Sequence, residues 1–264
     1  MNPSPTIMGV VNVTPDSFSD GGLYLDPEAA IAHGRALVEQ GAAILDVGGE
    51  STRPGAEPVT AEEELRRVAP VIEGLAGAGV PISVDTSKAV VAAAALECGA
   101  TIVNDVTALR ADPEMAPLCA QRGANVVLMH MLGEPRTMQA NPVYDDVVTE
   151  VRDFLAARLE AAVAAGIGAE RVWLDPGIGF GKTEVHNLEL LRRLGELRQL
   201  GRPLLVGTSR KSFIGKVDGS PAGERLGGTI ASSVWAAAEG ADVLRVHDVA
   251  AVREALAVTA AVLG

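Results

Sequence analysis

The sequence predicts a single-domain (β/α)₈ barrel over residues 1–264, an α/β fold in which parallel strands alternate with helices. Three observations support this fold class. Eight short apolar runs rich in Val and Ile recur along the chain. These runs are continuous rather than alternating, as expected for strands covered on both faces. Amphipathic, Ala- and Leu-rich segments separate them, and several of these end at glycine. A doubly wound sheet is the competing architecture, but it usually has fewer strands and a glycine fingerprint after the first strand.

The predicted strands follow one another at even intervals. They span residues 7–13, 43–47, 82–84, 101–103, 125–129, 172–174, 204–206 and 243–246. Helical spacing is clearest over residues 28–40, 61–75, 144–165, 222–239 and 249–262. Thr60 precedes an Ala-Glu-Glu segment, which is a helix start signal. The helices that follow the strands are expected to pack on the outside of the barrel.

Composition limits the class of partner. With 22 Lys and Arg against 34 Asp and Glu, the net charge is −12, and aromatic residues make up 3%. Both values argue against nucleic-acid binding. Cys98 and Cys119 cannot build a disulfide framework, which indicates a cytoplasmic protein. No apolar run reaches membrane length, so no membrane association is expected.

Polar side chains recur where the predicted strands end, at the face of a barrel that carries active sites. Each of the eight strands contributes at least one such group. They include Asn12, Asp46, Glu50, Asp85, Asn104, Asp105, His130, Asp175, Thr208, Lys211, Arg245 and His247. A lone Asp before a helix is more often a cap. Eight strand ends that all deliver polar groups to one rim predict an active site.

The chemistry of this rim suggests a polar heterocycle bound together with a phosphate. Asp85, Asn104 and Asp175 can hydrogen-bond to ring nitrogens and an exocyclic amine. Lys211, Arg245 and His247 follow the last two strands, where barrel enzymes often bind phosphate.

Several familiar motifs fail on spacing. The segment GIGFGKT at 177–183 ends like a phosphate-binding loop, but Pro176 stands where that motif needs glycine. Lys182 likewise breaks a dinucleotide-binding pattern. No G-x-S-x-G is present, and the four histidines lack zinc-ligand spacing.

Eight longer motifs, in the order in which they occur, resemble the motifs of the dihydropteroate synthase family. The motifs are MGVVNVTPDSFSDGG at 8–22, DVGGESTRPG at 46–55, SVDT at 83–86, VNDV at 103–106, PRTMQ at 135–139, DPGIGFGK at 175–182, TSRKS at 208–212 and RVHD at 245–248. The resemblance extends over about residues 7–255. It implies a barrel enzyme that joins 7,8-dihydropterin-6-ylmethyl diphosphate to 4-aminobenzoate, with release of diphosphate.

The resemblance also implies roles for individual residues. The pterin would be held by Thr52, Asp85, Asn104, Val106, Met129, Asp175, Phe180, Gly207 and Lys211. Diphosphate would be bound by Asn12, Arg245 and His247, with Asn12 also reaching a Mg²⁺ ion that the diphosphate chelates. Aminobenzoate would be bound by Phe18, Arg53, Pro54, Lys211 and Ser212. Asp85, Asp175 and Lys211 would contribute directly to catalysis.

We expect an SN1-like displacement, because loss of diphosphate leaves a cation conjugated with the pterin. Asp20 and Arg53, in two glycine-rich loops, would close over this intermediate. The family resemblance further implies a homodimer and inhibition by sulfonamides. Two alternatives stay open on the sequence: a methyltransferase that passes a methyl group from methyltetrahydrofolate to a corrinoid, and a non-catalytic pterin-binding paralogue.

Overall fold

Eight parallel strands form the centre of the protein. The computed structural model describes residues 5–14, 26–52, 55–134 and 136–264. The strands of this described part are β1 (Thr6–Asn12), β2 (Ile44–Gly48), β3 (Ile82–Asp85), β4 (Ile102–Asp105), β5 (Asn125–Met129), β6 (Val172–Asp175), β7 (Leu205–Val206) and β8 (Val243–Val246). Each lies within three residues of its predicted bounds, so the predicted strand pattern is confirmed.

The strands close into a barrel in sequence order. Hydrogen-bonded neighbours run from β6 through β1 to β8 and β7. The remaining gap is closed by a parallel bridge between Leu174 and Leu204, and Leu174 N donates to Pro203 O at 2.9 Å. The (β/α)₈ prediction is therefore confirmed. All eight carboxyl ends meet at one rim of the barrel.

Helices follow the strands around the outside. They are α1 (Pro27–Glu39), α2 (Ala61–Leu75), α3 (Ala89–Glu97), α4 (Met115–Arg122), α5 (Val147–Ala164), α6 (Glu184–Arg192), α7 (Ser212–Asp218), α8 (Leu226–Ala238) and α9 (Val249–Leu263). Short 3₁₀ turns occupy Ala169–Arg171, Leu194–Leu200 and Ala222–Glu224. Thr60 caps α2 by accepting from Glu63 N at 3.2 Å, as its sequence signal predicts. Gly41 has a φ of +107° just after α1, a conformation that favours glycine.

Two helix starts differ from the prediction because local hydrogen bonds intervene. Residue 144 is the predicted start of the longest helix, but Asp146 accepts from Val148 N and Thr149 N, so α5 begins at Val147. The Tyr144 hydroxyl instead donates to Gly181 O at 2.8 Å. The helix predicted from residue 222 begins as a 3₁₀ turn and becomes α-helical at Leu226.

Successive side chains of each strand point alternately towards the surrounding helices and into the barrel interior. Apolar residues fill the amino-terminal half of the interior, and they include Met8, Ile44, Ile102, Val127, Leu205 and Val243. Two residues further along these strands the character changes. Asp46 follows Ile44 and Arg245 follows Val243, both on the interior face. The apolar layer therefore forms a closed floor beneath a polar rim.

Candidate active site

Arg245 lies at the centre of the polar rim. Its Nε donates to Asp46 Oδ2 at 2.6 Å, and its Nη2 donates to Asp85 Oδ2 at 2.8 Å. The nearby carboxylates raise the pKa of Arg245 beyond its usual range, against the effect of burial. Its side chain is still 23% exposed, so part of the guanidinium faces the open rim. A cation that is both anchored and accessible is suited to binding an anion.

Asp46 supports this arrangement from below. It is completely buried, and its Oδ2 also accepts from Asn104 Nδ2 at 3.2 Å. Its Oδ1 has no hydrogen-bond partner among the described residues. The sequence predicts Asp46 as one of the polar groups at the strand ends. The structure shows that it links Asn104 of β4 to Arg245 of β8.

Asp85 ends β3 beside two other positions of the site. Burial raises the pKa of Asp85 to about 7, and Arg245 opposes this shift. The negative charges of Asp46, Glu64 and Asp105 raise it further. A Cβ added to Gly48 would lie 3.5 Å from Asp85 Cβ and 3.8 Å from Asn12 Oδ1. Asn12, at the end of β1, is therefore close to the Asp85 carboxylate, as the strand-end prediction requires.

Asp175 and Lys211 form the opposite side of the site. Asp175 is 5% exposed, and its Oδ1 accepts from Gly177 N at 2.7 Å. Burial raises the pKa of Asp175, while the Lys211 charge opposes that rise. Lys211 donates to Ile178 O. Burial lowers the pKa of Lys211 to about 8, against the attraction of Asp175. Lys211 can therefore lose its proton close to the physiological pH range.

An apolar cluster lies at the same rim of the barrel. Phe180 packs against four buried side chains, which are Val106, Met129, Met131 and Met138. The Phe180 ring centre is 4.8 Å from Lys211 Nζ, a cation–π distance. Val106, Met129 and Phe180 are among the predicted site residues, whereas Met131 and Met138 are additional. Such polarizable side chains are suited to contact with the face of a flat ring.

Gly207 lies beside two cations of the site, because a Cβ there would lie 3.6 Å from Arg245 Cβ and 3.8 Å from Lys211 Nζ. His247 lies nearby, after β8. Ser209 Oγ accepts from His247 N at 3.2 Å and lies 3.0 Å from His247 Nδ1. If the hydroxyl donates to Nδ1, the ring proton is on Nε2. His247 then carries a hydrogen-bond donor.

The other predicted positions fall into two groups. Thr52 lines a cavity of about 590 Å³ that also contacts Asp85 and Val106. Ser212 begins α7 directly after Lys211 and is exposed. Phe18, Asp20, Arg53 and Pro54 lie outside the described residues.

The loop that carries Thr52 is anchored at its base by ion pairs. Glu50 Oε1 accepts from Val59 N at 3.4 Å, while Lys88 binds Glu50 and, at 2.5 Å, the fully buried Glu64. Neither Glu64 nor Lys88 is a predicted site residue. Their positions within helical or loop sequence carry no signal of this pairing.

A metal ion could reach the site mainly through a bound substrate. Among the described residues, no group of three His, Cys, Asp or Glu side chains is arranged to hold an ion. Asn12 offers an amide oxygen close to Asp85. Mg²⁺ characteristically uses few protein ligands and completes its shell with water and substrate phosphates. The residues present fit an ion of that kind.

The fold and the site together define a barrel enzyme with an apolar cluster, carboxylates and cations at one rim. The pterin-binding enzyme family matches residues 8–247. The dihydropteroate synthase of Neisseria meningitidis serogroup C is 50% identical over 256 residues, which cover 96% of this chain and 90% of the relative.

Solved structures agree in fold as well as in sequence. A Xanthomonas albilineans dihydropteroate synthase with 4-aminobenzoic acid is 51% identical, with a TM-score of 0.93 and coverage of 99% and 94%. A Yersinia pestis dihydropteroate synthase with a sulfonamide drug is 46% identical, with a TM-score of 0.94 and coverage of 98% and 94%. The chain therefore belongs to the pterin-binding enzyme family and, within it, to the dihydropteroate synthases. The resemblance found in the motifs is confirmed.

Proposed function

We propose that this enzyme condenses 7,8-dihydropterin-6-ylmethyl diphosphate with 4-aminobenzoate to give 7,8-dihydropteroate and diphosphate. The observation that carries the proposal is the pairing of Arg245 with Asp85 at the rim that also holds the apolar cluster. This pairing places an anion-binding cation next to a carboxylate that can bind a heterocycle. The names of the matched relatives support the same reaction.

The pterin site in this proposal consists of Asp85, Asn104, Asp175 and Lys211. The two carboxylates accept hydrogen bonds from ring N–H and amino groups of the pterin, and Asn104 offers both a donor and an acceptor. Val106, Met129 and Phe180 contact the faces of the ring. Gly207 lies at the edge of the ring in this proposal, where a side chain would approach Arg245 and Lys211.

The reaction begins with cleavage of the bond between the methylene carbon and the diphosphate oxygen. The electron pair leaves with diphosphate, and the positive charge that remains is conjugated with the pterin. Asp85 and Asp175 stabilise this charge when ionised, while Asn12, Arg245 and His247 bind the departing anion. Bound Mg²⁺, reached through Asn12, would supply further neutralisation of the diphosphate charge.

The aminobenzoate nitrogen then forms the new carbon–nitrogen bond and loses a proton. An arylamine is already nucleophilic, so the site needs to orient it and exclude water rather than supply a strong base. In this proposal Lys211 and Ser212, at the start of α7, bind its carboxylate. Phe18, Arg53 and Pro54 complete this pocket in the proposal, and Asp20 and Arg53 close over the intermediate.

A coupled assay of diphosphate release tests the proposal. We expect release only when both substrates and Mg²⁺ are present, together with inhibition by a sulfonamide that competes with aminobenzoate. Absence of release with an authentic pterin diphosphate would contradict the synthase activity and favour a non-catalytic paralogue. Methyl transfer from methyltetrahydrofolate to a corrinoid would instead favour the methyltransferase. The family membership and the printed names of the relatives favour the synthase.

We also propose that the protein works as a homodimer. Large apolar side chains are exposed on neighbouring helices, among them Val217 on α7 and Leu226 and Trp235 on α8. Exposed apolar side chains on adjacent elements favour burial in an interface. Sedimentation equilibrium should give twice the chain mass of 27.2 kDa. A monomer at micromolar concentration would contradict this arrangement.

A cytoplasmic location fits the two cysteines, which are both free thiols in the structure. In the part of the chain that the structure describes, no helix is long and apolar enough to cross a membrane.

A further inference from the structure

Lys182 carries a buried ammonium group in the loop between β6 and α6. Only 2% of the residue is exposed. Among the described residues, the hydrogen-bond partners of Lys182 are the His130 ring and backbone carbonyl groups, not carboxylates. Burial lowers the pKa of Lys182 well below its usual value, against the attraction of Asp175. A buried ammonium is stable only when its hydrogen-bond donors are all used.

Four acceptors surround this ammonium group, and the most distant of them is His130 O at 3.4 Å. Lys182 Nζ lies 2.8 Å from His130 Nδ1, 2.9 Å from Gly177 O and 3.0 Å from Phe180 O. Burial and the Lys182 charge lower the pKa of His130 to about 2, so its imidazole is neutral. Its Nδ1 can then accept from the ammonium. The three shorter contacts match the three N–H donors of a lysine ammonium group.

We call the acceptors around Lys182 Nζ the cage. Its Gly177 and Phe180 carbonyl groups belong to the backbone that forms one side of the pterin site. Gly177 N binds the Asp175 carboxylate at 2.7 Å, while Gly177 O binds Lys182. Between the two bound carbonyls, Ile178 O accepts from Lys211. The cage thus holds both ends of a short segment that contacts Asp175 and Lys211.

The same segment is pressed against the end of β5. A Cβ added to Gly177 would lie 1.9 Å from His130 O, and His130 N donates to Asp175 O at 2.9 Å. Lys182 therefore links the segment to His130, close to the point where the backbones of Gly177 and His130 approach each other. Loss of the ammonium would leave two carbonyl oxygens and an imidazole nitrogen facing an apolar space.

We propose that Lys182 is a positioning residue for pterin binding, whose ammonium fixes the backbone that orients Asp175 and anchors Lys211. It does not touch the substrate. This inference rests on the proposed function, since it assigns a role to the structure that supports the pterin site. The motif that contains Lys182 does not have the spacing of a phosphate-binding loop. Its lysine instead donates hydrogen bonds to carbonyl groups of the same loop.

The test compares Lys182→Met with Lys216→Met, the same replacement at an exposed lysine of α7. Binding of 7,8-dihydropterin-6-ylmethyl diphosphate is measured by calorimetry at a temperature where both variants are folded. Because small displacements of binding groups are costly, we expect Lys182→Met to weaken binding by about tenfold or more. Lys216→Met should bind like the wild type. Affinity of Lys182→Met within about threefold of wild type would overturn the inference.

A second variant separates the ammonium from the volume of the side chain. Lys182→Ala leaves space in the cage, and ammonium chloride should restore part of its pterin affinity, whereas sodium chloride at equal concentration should not. Equal effects of the two salts would overturn the inference. If Lys182→Met does not fold, His130→Leu takes its place, because it removes one acceptor and keeps the lysine. Unchanged pterin affinity in that variant would also count against the cage.

The wild type distinguishes this inference from the proposed function. Pterin binding and product formation in the wild type, with unchanged affinity in Lys182→Met, would overturn the positioning role alone. A wild type that fails to bind the pterin diphosphate would overturn both.

Discussion

Arg245 Nε donates to Asp46 Oδ2 across 2.6 Å, which joins the last strand of the barrel to the second. The cation that is proposed to face the diphosphate is thus held by a carboxylate with no exposure to solvent. Removing one partner of a buried ion pair leaves the other partner uncompensated. The position and charge of Arg245 therefore depend on Asp46.

Replacing Asp46 by Asn should lower kcat/KM for the pterin diphosphate about tenfold to a hundredfold, because the Arg245 guanidinium is no longer held in one position. Steady-state kinetics with varied pterin diphosphate measures the effect. Asp153→Asn, the same change on an exposed position of α5, is the control and should leave the kinetics unchanged. Wild-type kinetics in Asp46→Asn would show that Asp46 does not position Arg245.

Replacing Asp175 by Ala should abolish measurable pterin binding. The carboxylate makes charge-assisted hydrogen bonds in the proposed complex, and losing two of these weakens affinity about a hundredfold or more. The same reasoning applies to Asp85→Ala. Calorimetric titration measures both, and circular dichroism confirms that the variants are folded. Retained affinity in either variant would remove that aspartate from the proposed pterin site.

The pH profile of kcat/KM should be a narrow bell. Burial raises the pKa of Asp85 to about 7, so the ionised form that accepts from the pterin is gained as the pH rises through this value. Burial lowers the pKa of Lys211 to about 8, so its positive charge is lost above that value. The maximum should therefore lie between about pH 7 and 8.

Lys211→Arg provides the matched test of the alkaline limb, because a guanidinium stays charged over this range. Its residual activity should no longer fall above pH 8. A wild-type profile that is flat from pH 5 to about pH 10 would contradict both assignments.

Ser209→Ala should raise KM for the pterin diphosphate about threefold to tenfold, the value of one hydrogen bond. Without the hydroxyl, His247 loses the contact that orients its ring. Ser232→Ala on α8 removes a hydroxyl bound to Gly228 O and serves as the control. An unchanged KM in Ser209→Ala would show that Ser209 does not orient His247 for substrate binding.

Gly177→Ala should destabilise the protein by more than about 2 kcal/mol, because the added Cβ meets a backbone oxygen and φ is unfavourable for alanine. The clash is with His130 O at 1.9 Å, and φ is +66°. Gly223→Ala, where an added Cβ meets nothing within 4 Å, is the control. Chemical denaturation of both variants measures the difference. Equal stability would show that the loop can move away from β5.

The barrel was predictable because its signals are local. Each strand is a continuous apolar run, and the polar residues Asp85, Asn104 and Asp175 stand where these runs end. Parallel strands bring their ends together whatever the sequence between them. The set of residues at the rim therefore follows from the sequence once the fold class is predicted.

The pairings within the rim could not be predicted in the same way. Arg245 and Asp46 are 199 residues apart, and nothing in either local sequence selects the other. The contact of Lys182 with His130 depends on how two loops pack, as does the start of α5 at Val147 rather than at Tyr144. Long-range packing and competing side-chain caps decide these features.

Detection of 7,8-dihydropteroate by mass spectrometry, with diphosphate measured in the same reaction, tests the central claim most directly. The account predicts one dihydropteroate for each diphosphate released, and neither product when 4-aminobenzoate is omitted. Diphosphate release without dihydropteroate would mean that the site hydrolyses its substrate. Absence of both products under conditions in which the pterin diphosphate binds would contradict the proposed synthase activity.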